Sequence, residues 1–72
     1  MPTINKYIIL DEMNKKYYDN NPNTRFYSDK INNAWVFGDE KLEYQTVLLK
    51  RNGLMYEVIL KVNGNGTLTK VR

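Results

Sequence analysis

The chain has 72 residues, a net charge of +3 at pH 7, and neither cysteine nor histidine. That length allows one domain (1–72), and that composition excludes a disulfide framework and the usual structural zinc site. Apolar residues make up 42%, enough for one core, but a chain this short buries only about 60% of its unfolded surface, so packing or self-association must supply its stability.

The first apolar run, Lys6 to Asp11, is rich in β-formers and predicts a strand. Glu12-Met13-Asn14-Lys15 reads as a turn and Lys16 to Asp19 as the returning strand, which makes an N-terminal β-hairpin. Asn20-Asn21-Pro22-Asn23 follows as a loop, because Pro22 pushes Asn21 out of helical geometry and Asn tolerates the left-handed region. Ser28 or Asp29 can cap a short helix through Ala34, with Ile31, Ala34 and Trp35 on one face. Trp35-Val36-Phe37 is the densest apolar cluster of the first half and is expected in the core.

Residues 39–53 carry two signals. Asp39-Glu40 at the start, Lys50-Arg51 at the end and Gly53 as a stop suit a helix. The apolar residues, however, do not form one stripe: Leu42 and Leu49 fall on one side, while Tyr44, Val47 and Leu48 fall broadly opposite. Asn52-Gly53 between β-formers suits a hairpin instead. A three-residue bulged loop at Arg51-Asn52-Gly53 would pair Leu48 with Tyr56, Thr46 with Val58, Tyr44 with Leu60 and Leu42 with Val62, leaving one face almost wholly apolar. The strand reading is preferred on that ground. Asn63-Gly64 then serves as a two-residue turn that sets Glu57 opposite Lys70, ahead of a last strand, Thr67 to Arg72. The expected fold is α+β and β-rich: an N-terminal β-hairpin, one short helix and a C-terminal three-stranded antiparallel meander over Leu42–Lys50, Leu54–Val62 and Thr67–Arg72.

The residue inventory bears on chemistry. Without histidine or a thiol, nucleophilic catalysis with a histidine base is impossible. No phosphate loop or calcium loop is spelled out, and Asp11, Glu12 and Asp19 read as solvated charge. A non-enzymatic protein with no cofactor and no metal is expected. Tyr7-Ile8-Ile9-Leu10 is shorter than the roughly 7–15 residues of a signal-peptide core, and no run nears the roughly 20 of a membrane span. Starting at Met1, the chain reads as entire and cytoplasmic, within the producing or infected cell, with no membrane partner.

What remains is surface. Tyr17-Tyr18 and Phe26-Tyr27 are adjacent pairs that cannot both point inward from a strand, so one of each should be exposed or only partly covered. Residues 1–40 carry a net −1 and residues 41–72 a net +4. That asymmetry singles out Lys50, Arg51, Lys61, Lys70 and Arg72 as candidates for an anionic partner. The candidate binding residues are therefore Tyr17, Tyr18, Phe26 and Tyr27 together with those five basic residues.

Tyr7-Ile8-Ile9, Lys16-Tyr17-Tyr18-Asp19 and the segment Ser28-Asp29-Lys30-Ile31-Asn32-Asn33-Ala34-Trp35-Val36-Phe37 resemble small accessory proteins of phages infecting low-GC Gram-positive bacteria. The resemblance covers about residues 6–37 and implies a protein that binds and modulates or inhibits a host protein, a defence nuclease being one such target. Two alternatives are a small basic nucleic-acid-binding protein and a structural or assembly protein that forms a homodimer through the sheet edge Thr67–Arg72. The modest charge, and the separation of aromatic from basic residues along the chain, favour a host protein over nucleic acid.

Overall fold

The computed structural model describes residues 5–51 and 57–71. Five antiparallel strands form one sheet: β1 (Lys6–Asp11), β2 (Lys16–Tyr18), β3 (Tyr27–Ser28), β4 (Glu57–Val62) and β5 (Leu68–Lys70), in the order β3-β2-β1-β4-β5. Among the described residues one α-helix, α1 (Asp39–Arg51), lies between β3 and β4 in the chain. The β-rich α+β class, the N-terminal hairpin and a C-terminal β4–β5 pair follow the sequence reading.

The two central strands carry the core on both faces. Six residue pairs hold them in register, from Lys6 opposite Val62 to Asp11 opposite Glu57. Because neighbours alternate faces, Tyr7, Ile9 and Ile59 point to the side of α1, where they pack with Phe37 and the half-buried Tyr18, Trp35, Leu42, Leu49 and Val71. Ile8, Val58 and Leu60 point to the other side and pack with Leu10, Tyr17, Ala34 and Val62. Ile8 and Ile59 are the most deeply buried, at 2% and 0% exposure. An unbroken apolar run such as Tyr7-Ile8-Ile9-Leu10 is what a strand buried on both faces requires.

The first hairpin closes through an Asx turn, in which the Asp11 carboxylate accepts from the Met13 and Asn14 amides at 3.1 and 3.3 Å. A 3-10 turn over Pro22–Thr24 then leads to β3. The Asp19 carboxylate fixes that loop by accepting from the Asn21 amide and the Thr24 hydroxyl.

Four readings are corrected. The short helix from Ser28 or Asp29 to Ala34 is instead strand β3 followed by a 3-10 turn over Ile31–Asn33. Ser28 Oγ accepts from the Lys30 amide and the Asn33 side chain, a local alternative to helical bonding. Ile31, Ala34 and Trp35 accordingly share no face: Ile31 is 44% exposed, and Ala34 and Trp35 pack on opposite sides of the sheet. Within the next cluster Phe37 is buried, but Val36 is 50% exposed.

The third correction is the largest. Residues 42–50 are helical, so the meander keeps its last two strands and loses its first. The strand pairings proposed for Leu42, Tyr44, Thr46 and Leu48 do not form, since β4 pairs with β1 instead. Asn52-Gly53 and Tyr56 lie outside the described residues. Acidic residues open α1 and basic residues close it, as the helix dipole favours. The helix is seated through a narrow stripe: Leu42 and Leu49 reach the core, and no residue of α1 is fully buried. The two-sided apolar pattern is real, with Tyr44 62% and Val47 46% exposed, and it does not signal a strand.

Last, the β4–β5 register sets Leu60, not Glu57, opposite Lys70. The loop is Gly64-Asn65-Gly66, with Gly66 at φ +88° and its amide donating to the Asn63 carbonyl at 3.0 Å. This is a three-residue hairpin loop ending in a left-handed glycine. Two Asn-Gly pairs in succession look like alternative two-residue turns, but the second glycine's freedom is spent on the bulge.

Candidate functional site

The helix-side face of the sheet gathers aromatic rings into a continuous ladder. Tyr7 lies 5.7 Å from Phe37, Phe37 5.2 Å from Trp35, and Trp35 5.9 Å from Tyr18, centroid to centroid. Tyr18 in turn meets Tyr27 edge-on at 5.8 Å and stacks on Phe26 at 6.4 Å. The chain places these rings by returning beside β1 and β2: the Trp35 amide donates to the Tyr18 carbonyl, and Tyr7 and Phe37 exchange two backbone bonds. Lys41, on the first turn of α1, lies 5.6 Å from the Trp35 ring as a cation–π partner.

Phe26 ends the ladder and is its most exposed ring, at 43%. Its backbone is left-handed at φ +69°, following Arg25 at +57°. A bulky residue in that region is strained, at a cost of about 1–3 kcal/mol. Its amide donates to the Asn21 carbonyl at 2.9 Å, and its own carbonyl accepts from the Asp19 amide at 3.0 Å. Those two bonds hold the strained residue and aim its ring at Tyr18.

On the same face, the Tyr27 hydroxyl donates to the Glu57 carboxylate. Strands β2 and β1 lie between them, about 14 Å on a flat sheet, so the two long side chains reach toward each other across both strands. Burial holds the Glu57 carboxyl above its ordinary value and the Tyr27 bond only partly offsets it, while Asp11, directly opposite in the register, adds repulsion. Burial, then the bond to Glu57, holds the Tyr27 phenol in its neutral form. With Ile9, Tyr18, Gln45, Leu48 and Leu49, this pair lines a shallow cleft between α1 and the sheet. At the other end of α1, Tyr7 donates to Asp39 at 2.5 Å and Asn5 donates at 3.2 Å. These bonds, and the Lys61 ammonium, hold the Asp39 carboxyl below its usual range, and the same Tyr7–Asp39 bond raises the Tyr7 phenol.

Of the residues singled out from sequence, Tyr18, Phe26 and Tyr27 come together in the ladder. Tyr17 does not: it packs on the opposite face with Ile8, Val58 and Leu60. The basic residues do not converge. Lys50 and Arg51 end α1, whereas Lys61 stands near Asp39 at its start. Thirteen residues at 1.5 Å rise put about 18 Å between those ends. Lys70 sits opposite Leu60, whose side chain belongs to the other face, and reaches Glu12 at 3.8 Å in an exposed pair that contributes little. Arg72 lies outside the described residues. Sequence reasoning assigned Trp35 to the core and passed over Glu57; alternation along β4 could have flagged a carboxylate on the face that Ile59 and Lys61 share.

Among the described residues, no helix is long and apolar enough to cross a membrane. Comparison with protein-family models, with curated proteins and with solved structures finds no match. The fold and the site therefore define the molecule as a small antiparallel sheet domain with one helix and an aromatic face.

Proposed function

We propose that this domain is a non-enzymatic binding module whose partner is another protein, held at the aromatic ladder with Phe26 as anchor. One observation carries the reading: Phe26 is kept partly exposed on a strained left-handed backbone, stacked on Tyr18. Strain at an exposed aromatic contributes nothing to the core, and aromatic anchors are what protein interfaces concentrate. The resemblance over residues 6–37 supports a host protein as that partner, bound to modulate or inhibit it. The dispersal of Lys50, Arg51, Lys61 and Lys70 weighs against a nucleic-acid groove, which needs a continuous basic track beside its stacking rings.

Phe26→Asn tests this, because Asn tolerates the left-handed backbone while removing the ring. The variant should be at least as stable as the parent to urea and should lose capture of the host protein from a nuclease-treated lysate. Retained capture would refute the assignment of Phe26. Capture abolished by nuclease treatment of the parent protein would move the function to nucleic acid.

A further inference from the structure

α1 has a second side that the core of the described residues does not use. At 100° per residue, Leu42 and Leu49 point to the core, and Glu40, Tyr44, Val47 and Arg51 line up on the opposite side. All four are exposed, and Tyr44 and Val47 are among the exposed large apolar residues of the domain. The stripe is acidic at one end, apolar in the middle and basic at the other.

That sequence of charges is complementary to itself when reversed. An antiparallel copy centred between Gln45 and Thr46 brings Tyr44 against Val47 of the second copy, and Val47 against its Tyr44. The same two-fold sets Glu40 against Arg51 of the second copy, twice over. Glu43 and Lys50 share one flank of the stripe, and the same two-fold brings each Glu43 to within about 3 Å, along the axis, of the level of Lys50 of the second copy. Antiparallel pairing opposes the two helix dipoles head to tail, which is favourable as well. We propose that α1 is a self-association surface, on which two copies of this chain dock as an isologous antiparallel helix pair. Two apolar side chains per copy are few against a standard interface, so the dimer is weak and concentration-dependent. It uses neither the sheet edge nor the aromatic ladder, and it stands whether or not Phe26 holds a partner.

Glu40 and Arg51 are eleven residues apart, about 16 Å along the axis and beyond direct contact within one copy. A charge reversal that one site suffers and the other repairs must therefore act between copies. Sedimentation equilibrium of the whole chain, at concentrations up to about 1 mM, reads the association. Glu40→Arg alone, or Arg51→Glu alone, should weaken dimerisation about tenfold, or about 1.4 kcal/mol, the worth of two exposed pairs turned repulsive. The double variant E40R/R51E should return close to the parent. Val47→Ser, at an exposed position, should abolish the dimer while leaving the circular dichroism spectrum unchanged. A monomer at every concentration overturns the proposal and leaves the stripe to a partner of different sequence. A dimer indifferent to Val47→Ser, or single reversals that the double variant does not repair, overturns it equally.

Discussion

Ile8 and Ile59 lie on adjacent strands but on opposite faces of the sheet, and only the Ile59 face carries α1. If the helix alone made the core, Ile8→Ala would be mild. With exposures of 2% and 0%, both positions instead lose a fully packed side chain. Each truncation should cost about 2–5 kcal/mol, the transfer term plus the cavity left behind. A domain of 72 residues has about 4–11 kcal/mol in total, so either variant forfeits a large share of the stability. At about 4–8 °C per kcal/mol for this size class, Tm should fall by at least about 8 °C. Urea denaturation followed by circular dichroism measures both variants, with Val36→Ala as an exposed control expected within about 0.5 kcal/mol of the parent. Ile8→Ala remaining within that margin while Ile59→Ala is costly would refute the two-faced core.

Glu57→Gln removes a half-buried carboxylate set against Asp11 while leaving an acceptor for Tyr27. Because the folded carboxyl is held above its ordinary value, stability declines as pH rises from that ordinary value through the folded one. The variant should lose that decline and gain about 0.2–1 kcal/mol at pH 7 in urea melts taken across the pH range; a parent whose stability rises over that window would contradict the assignment. Gly66→Ala meets no atom within 4 Å of the added carbon, so its cost is backbone alone. At φ +88° that cost should be about 1 kcal/mol by urea midpoint, and an unchanged midpoint would argue against the left-handed bulge.

The strands β1, β2 and β4 were legible because their apolar and aromatic residues are contiguous and punctuated by Asn, Asp and Gly. The helix was misread because a single amphipathic stripe was demanded of it. α1 instead meets a small sheet through Leu42 and Leu49 and shows Tyr44 and Val47 to solvent, so its pattern is two-sided without being a strand's. The β4–β5 register turned on which glycine took the left-handed conformation, a choice that pairing preferences of side chains such as Glu57 and Lys70 do not decide. In the candidate site, alternation foresaw that Tyr17 and Tyr18 would part company across the sheet. The Tyr27–Glu57 bond was out of reach, because its partners are 30 residues apart and meet only through the strand order of the finished sheet. The left-handed backbone of Phe26 is likewise a product of the Asp19 to Phe26 loop closing on itself, and nothing in the residue type announces it.

The absence of any fully buried residue in α1 has a kinetic consequence. Amide protons of β1 and β4 can exchange with solvent only when the whole domain opens, since their hydrogen bonds lie between two apolar layers. Those of α1 need only the stripe of Leu42 and Leu49 to lift, a cheaper sub-global event. Native-state hydrogen exchange should thus divide the molecule into a slow sheet and a fast helix. A partner or second copy bound on the outer stripe would slow the helix alone, by the free energy of its occupancy.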